Sequence, residues 1–294
     1  MDIKLVPFDK FIEVVSNGIG TLYKPRAIRN EADAEAYKME VLANAEARRK
    51  LILAGADDEI AKRAAQRLVQ QEVKRQQNIE AVAEKAYAYL PEAVSEEPVS
   101  PDWRTRFFNH VQDVSEKDMQ DLWARILATE IAKPKSASIR LLDVLSTMSR
   151  EEAIVFERMC ALATQHRFVY QMNNRDLSRF GINYSDIMLL GELKLVHSSE
   201  TTVQFDQRSD TIGPNGTFEG VLIPLGNKAC TITRTNGSSL QAIQFINHAF
   251  TKAGEELCAI INVELNQAYL DAWVEERASK GYLVTTLFDL SVLG

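Results

Sequence analysis

The sequence lacks three features that would assign it to a common functional class. No stretch of the 294 residues approaches about 18 consecutive apolar residues, so we predict no transmembrane helix. The formal net charge of -7 argues against general binding to nucleic acid, which requires a basic surface to neutralise phosphates. Asp9, Lys10 and Glu13 interrupt the apolar residues near the start, so we expect no signal peptide.

Cysteine and histidine are scarce and widely spaced. Cys160, Cys230 and Cys258 form no CxxC or His-x-Cys cluster, which predicts reduced, buried thiols in a cytoplasmic protein. The four histidines are equally scattered, and we predict no metal and no cofactor. The sequence contains no phosphate loop, GxGxxG, GxSxG or HExxH motif, so no catalytic centre is recognisable from motifs.

The region 1–90 combines a short N-terminal amphipathic segment with long alanine-rich helices. Residues 27–90 contain no proline, and "AGADDE" is the only break, so we predict a long helical hairpin or one broken rod. Apolar residues at steps of three and four form one candidate assembly face: Ile28, Ala32, Ala36, Met39 and Ala43. The stripe continues on the second arm at Ile79, Val82, Ala86 and Leu90. Burial contributes about 25 cal/mol per Å², and alanine buries little, so we expect such a stripe to pack on another chain or on the following domain.

Residues 91–100, acidic and bounded by prolines, predict a linker before a helical bundle over 101–165. Within "SPDWRTRFFNHVQDVSEKDMQDLWARILATEIAKP", Trp103, Phe107 and Val111 fall at steps of four, on one helical edge. Ser149 and Glu152 have the spacing of a capping box at the start of the fourth helix. We therefore interpret the aromatic residues as the core of a four-helix bundle.

The pattern changes over residues 166–294. "DLSRFGINYSDIMLLGELKLV" predicts helix, turn, helix and then a strand, and "TTVQF", "FEGVLIPL", "ACTITR" and "QAIQFINHAF" predict further strands. Asn236-Gly237 predicts a hairpin turn, and Thr251 is a candidate cap for the helix in "FTKAGEEL". We expect a mainly α fold whose C-terminal α+β part is winged-helix-like.

Three stretches resemble the bacterial family of unknown function DUF2806: "GTLYKPRAIRNEADAEAYKMEVLANAEARR", "RLVQQEVKRQQNIEAVAEKA" and "DWRTRFFNHVQDVSEKDMQDLWARILATEIAKP". The resemblance covers residues 18 to about 160, with "FTKAGEEL" beyond. Where the family usually has glycine after "KP", this chain has Lys135, so we expect a different turn. The run "LWARILATEI…LLDVLSTMSREEAIVF" is also similar to the Abi-alpha family, which implies a role in bacterial defence against phage.

Glu192-Leu193-Lys194 is an ExK sequence with Asp176 or Asp186 upstream, a combination that metal-dependent nucleases use to hold a divalent cation and aid the attacking water. We keep this nuclease as an alternative function. The predicted recognition helix, 184–194, carries two acidic residues and one lysine, so sequence-specific DNA binding is not expected.

The amphipathic segment near residues 6–15 and the basic residues Lys24, Arg26 and Arg29 are a candidate anion or membrane contact. Acidic residues dilute this charge, so packing of the segment against the bundle is favoured. We expect a non-enzymatic interaction protein of anti-phage defence, which forms a homo-oligomer or assembles on a protein partner or phage component. A membrane-surface protein remains a further alternative.

Overall fold

The structure, a computed structural model, describes residues 7–20, 23, 39, 42–43, 46–47, 49–50, 59–172, 177–213, 216–226 and 228–289. The chain divides into two units, Met1–Ser146 and Thr147–Gly294. Helices make up the first, and two antiparallel sheets with helices make up the second. The predicted mainly α fold with a C-terminal α+β part is confirmed. The finer predicted boundaries at residues 90, 100 and 165 stay predictions.

The first unit is built from helices that run α1 Pro7–Ile19, α2 Glu59–Ala88, α3 Pro101–Val111, α4 Lys117–Ala132 and α5 Ile139–Thr147. Helix α1 packs on α2, α3 and α4 through Phe11, Val14 and Val15, which are buried. Helix α2 lies along α4 and buries Val82 and Ala86 of the predicted stripe. The second alanine-rich arm is therefore covered by helices of its own chain.

The aromatic residues of 100–134 form the core of this unit. Trp103 and Phe107 stack with ring centroids 4.9 Å apart, and Phe107 meets Trp123 edge-on at 5.4 Å. All three side chains are buried, and the indole nitrogen of Trp103 donates to the carbonyl oxygen of Ala137 at 2.8 Å. The interpretation of these residues as packed core is confirmed.

The predicted linker 91–100 is anchored within the first unit. The buried ammonium group of Lys10 donates to the carbonyl oxygens of Ser95 at 2.5 Å and Glu97 at 2.7 Å. The backbone nitrogen of Ser95 donates to the carbonyl of Ala132 at 2.8 Å. Burial lowers the pKa of Lys10, and nearby carboxylates oppose that effect. These hydrogen bonds join the segment between α2 and α3 to helices α1 and α4.

The turn after α4 contains Lys135 in an unusual backbone conformation. Its φ of 71° lies in the left-handed region, which favours glycine. The buried carboxylate of Glu130 holds the turn by accepting from the backbone nitrogens of Lys135 at 2.8 Å and Ala137 at 3.0 Å. Burial raises the pKa of Glu130, and these hydrogen bonds lower it in part. Lys135 therefore adopts the conformation that a glycine would have, and its ammonium group pairs with Glu97.

The second unit begins with α6 Arg150–Cys160, whose capping box of Ser149 and Glu152 is present as predicted. Its remaining helical elements are a 3-10 helix Ser178–Phe180, α7 Tyr184–Glu192, α8 Lys252–Ile261 and α9 Gln267–Ser279. Its strands are β1 Phe168–Tyr170, β2 Thr201–Phe205, β3 Arg208–Gly213, β4 Gly216–Leu225, β5 Lys228–Arg234, β6 Ile243–Ala249 and β7 Tyr282–Asp289. They form antiparallel sheets in the orders β1-β6-β2 and β3-β4-β5-β7.

The hairpin predicted at Asn236-Gly237 is wrong. A turn is present there, with Gly237 at a φ of 73°. However, the strands that flank it belong to different sheets, because β5 pairs with β4 and β7 while β6 pairs with β1 and β2. Turn-forming residues specify how the chain reverses locally, whereas the choice of partner strand depends on long-range packing.

Candidate functional site

Helix α7 carries an exposed side of unusual composition. A capping box starts the helix: the backbone nitrogen of Asp186 donates to the Asn183 side chain at 3.0 Å, and that of Asn183 donates to the Asp186 carboxylate at 2.8 Å. Tyr184 and Met188 are 75% and 42% exposed, and Glu192 follows at the same four-residue step. We call these three residues the α7 face. Residues 184–192 include no lysine or arginine, so this face is apolar and acidic.

The ExK residues lie at the end of this helix. Glu192 is the last residue of α7, Leu193 caps it, and Lys194 has a φ of 59°. The Lys194 carbonyl accepts from the Thr251 hydroxyl at 2.6 Å. Asp176 lies outside the described residues. Among the residues that the structure describes, no group of three or more histidine, cysteine or acidic side chains could hold a metal ion. The nuclease role stays a prediction.

The predicted N-terminal contact residues Lys24, Arg26 and Arg29 lie outside the described residues. The apolar side of the neighbouring helix α1 is buried inside the first unit, as the favoured interpretation predicts. In the described part of the chain, no helix has both the length and the apolar character needed to cross a membrane.

The predicted assembly face is described only in part, because Ile28, Ala32 and Ala36 also lie outside the described ranges. Met39 is 66% exposed, and Ala43, one helical turn further on, is exposed as well. Both side chains face solvent in the single chain. Assembly through them stays a prediction.

A cavity of about 380 Å³ in the second unit joins residues that are distant in sequence. The buried thiols of Cys160 and Cys258 line it, together with His166, Lys228 and Glu264. Partial burial lowers the pKa of His166, so its imidazole is neutral at physiological pH. The cavity therefore presents two thiols, a neutral imidazole and one charge of each sign.

Backbone conformation around this cavity is strained. Gln165, His166 and Asn262 have φ values of 52°, 57° and 47°, and all three line the cavity. Left-handed conformations of residues other than glycine cost of order 1–3 kcal/mol and cluster at functional sites. Motif analysis missed this cavity, because its residues are far apart in the sequence and share no local pattern.

A buried polar cluster on the three-stranded sheet is the other group that sequence analysis missed. The Gln171 amide nitrogen donates to the Glu200 carboxylate at 2.8 Å and lies 3.0 Å from a ring nitrogen of His248. Burial lowers the pKa of His248, and the Glu200 carboxylate opposes this in part. The cluster joins β6 to the residue after β1 and the residue before β2, and we interpret it as structural.

Comparison with known proteins identifies one family. The model of a family described as "Protein of unknown function (DUF2806)" matches residues 62–273, well over half of the chain. This match confirms the resemblance from residue 62 onward and extends it through the second unit, whereas residues 18–61 lie outside the matched range. No curated protein and no solved structure matches the chain. The similarity to the Abi-alpha family stays a prediction.

Proposed function

We propose that this chain, which belongs to the DUF2806 family, is a non-enzymatic interaction protein that binds a protein partner through the α7 face. The exposure of Tyr184 and Met188, one turn apart on the same helix, carries the proposal. Aromatic residues and methionine are enriched where proteins bind one another, and aligned exposed apolar side chains mark such surfaces. Glu192 at the end of the face favours a partner segment with an apolar centre and a basic flank.

The arrangement around α7 supports the further proposal that this element is winged-helix-like. Helix α6, strand β1, a 3-10 helix and helix α7 follow one another along the chain, and β2 and β6 then complete an antiparallel sheet of order β1-β6-β2. In a winged-helix arrangement of these elements, α7 would be the recognition helix. A helix that reads DNA is accompanied by basic contacts to phosphates, whereas Asp186 and Glu192 make this one acidic. The composition favours contact with protein.

Site-specific crosslinking tests the proposal. We expect a photoreactive amino acid in place of Tyr184 to form a discrete protein adduct in living cells, because the bound partner would cover this position. Adding Met188→Asp should reduce adduct yield about tenfold, the consequence of losing about 1.4 kcal/mol of binding energy. The control carries the same photoreactive residue in place of Glu275, which is exposed on α9. Gel shift and mass spectrometry measure the yield and identify the adduct.

Equal adduct yields from positions 184 and 275, or no effect of Met188→Asp, would contradict the proposal. Magnesium- or manganese-dependent cleavage of plasmid DNA that is abolished by Glu192→Ala would instead establish the nuclease alternative. Retention of the purified chain on liposomes, lost when Lys24, Arg26 and Arg29 are replaced by alanine, would establish the membrane-surface alternative.

Anti-phage defence in the cytosol is the setting that we propose for this interaction. It rests on the similarity of "LWARILATEI…LLDVLSTMSREEAIVF" to the Abi-alpha family, and the three free, buried cysteines agree with a reducing compartment. The crosslinking experiment, repeated during phage infection, tests this setting. An adduct with a phage protein, or one that forms only in infected cells, would support it, and an unchanged adduct pattern would count against it.

We also propose that the chain forms a homo-oligomer through the candidate assembly face, which includes Met39. Light scattering should show a dimer or larger species, and Met39→Asp should shift it toward the monomer, because a charge on the face would have to be buried at the interface. Ile154→Asp, at an exposed residue of α6, is the control and should leave the mass unchanged. A monomer of the native sequence over the whole concentration range would contradict assembly.

A further inference from the structure

Two of the three cysteines lie side by side. Cys160 is the last residue of α6 and Cys258 lies in α8, two helices that pack on each other, and the Cys258 side chain helps to raise the pKa of the Cys160 thiol. The residues are only 3% and 1% exposed, yet both line the 380 Å³ cavity, which also has the exposed residues His166 and Lys228 in its wall. Cys230 is equally buried, in strand β5, and does not line this cavity.

We propose that Cys160 and Cys258 are a modification site, at which a small peroxide that enters through the cavity converts the two thiols into a reversible disulfide. A water molecule occupies about 30 Å³ in the liquid, so the cavity has room for hydrogen peroxide, which is slightly larger. No rearrangement of the fold is needed to bring the two cysteines together, because their helices pack on each other and both residues line the same cavity.

The chemistry proceeds in two steps. One cysteine, as its thiolate, attacks a peroxide oxygen; the O–O bond breaks, hydroxide leaves, and the sulfur becomes a sulfenic acid. The second thiol then attacks that sulfur, the S–S bond forms, and water leaves. In total the two sulfur atoms lose two electrons and two protons, and the peroxide is reduced to two molecules of water. A thiol reductant reverses the reaction through a mixed disulfide.

The burial of the two cysteines limits the rate of disulfide formation and favours the disulfide, which is uncharged. Burial raises the pKa of Cys160 well above its ordinary value, so its thiolate is rare at neutral pH. Below the pKa, the thiolate fraction increases about tenfold for each unit of pH, and the rate of disulfide formation should increase with it. The disulfide carries no charge, so the buried position accommodates the product without the cost of burying an ion.

The full-length chain tests the proposal by mass spectrometry. Treatment with hydrogen peroxide should remove two hydrogen atoms from the intact mass and link the peptides that contain Cys160 and Cys258, and dithiothreitol should reverse both changes. The rate should be at least about tenfold higher at pH 9 than at pH 7, the direction that a raised thiol pKa requires. The chain in denaturant, treated in parallel, shows that the oxidant suffices to oxidise accessible thiols.

Cys230→Ser is the matched control, since burial raises the pKa of Cys230 to about 12 but it does not line the cavity. That variant should still form the link, whereas Cys160→Ser and Cys258→Ser should not. Circular dichroism establishes that each variant is folded, and peptide mapping of the native sequence gives the result without any variant. Thiols that stay reduced in the folded chain while the denatured chain is oxidised would overturn the proposal. So would links to Cys230, or sulfinic acid without a link.

Discussion

Replacing Phe107 by alanine is expected to lower the free energy of unfolding of the first unit by about 3–5 kcal/mol. The ring is fully buried and contacts three other aromatic rings: it stacks on Trp103 at 4.9 Å and meets Phe108 at 5.2 Å and Trp123 at 5.4 Å. Alanine would leave a cavity that the stiff neighbouring rings cannot fill. Urea unfolding monitored by tryptophan fluorescence measures the loss, because two of the three tryptophans lie in this cluster.

Phe107→Leu provides the matched comparison, because it keeps most of the apolar volume and should cost distinctly less than alanine. Tyr184→Ala is a surface reference and should change stability by no more than about 0.5 kcal/mol. If Phe107→Ala cost under about 1 kcal/mol, the ring would not be a packed core element. The aromatic cluster would then have to be reconsidered as a binding site.

Local sequence rules predicted the helical elements well where periodicity and capping coincide. Trp103 and Phe107 mark the inner edge of α3, and Ser149 with Glu152 starts α6, because these signals act within one or two turns of helix. The partner of the alanine stripe on α2 was beyond those rules. Val82 and Ala86 pack along α4, but their residue types would allow them to pack on any apolar stripe of similar width. The pairing of strand β5 with β7 was beyond those rules for a similar reason, because the sequence indicates a strand but not its neighbour.

The candidate sites were harder to predict than the fold. Tyr184 and Met188 belong to a helix that also contains the fully buried Leu190, and nothing in their residue types tells which side faces solvent. Cys160 and Cys258 are far apart in sequence, yet both line the same cavity. Such a pair comes together through the packing of α6 on α8, so only a three-dimensional structure reveals it.

Gly254→Ala is expected to destabilise the second unit by about 3 kcal/mol or more, at the upper end of what added volume costs in a tightly packed region. A β-carbon at Gly254 would overlap the carbonyl oxygen of Leu195 and lie 3.0 Å from its carbonyl carbon, and backbone atoms cannot move aside as a flexible side chain can. Thr251 fixes this approach: its backbone nitrogen donates to the Leu195 carbonyl at 2.9 Å, and its hydroxyl accepts from the Gly254 nitrogen at 3.2 Å. The "FTKAGEEL" sequence therefore combines a helix cap with the one residue type that permits this contact.

Gly191→Ala is the control, because it is the same substitution in a helix of the same unit. A β-carbon there would meet its nearest neighbour, Ser198, at an ordinary 3.6 Å, and alanine is the better helix former by about 0.5–1 kcal/mol. Hydrogen exchange of the α8 backbone amides at increasing denaturant, read by mass spectrometry in the otherwise native sequence, compares the two changes. A loss of stability at Gly254 no larger than at Gly191 would mean that α8 does not sit against the Leu195 carbonyl. A large loss of stability at Gly254 alone would show that the start of α8 packs against the chain just beyond α7. Helix α7 is the helix that carries Tyr184 and Met188.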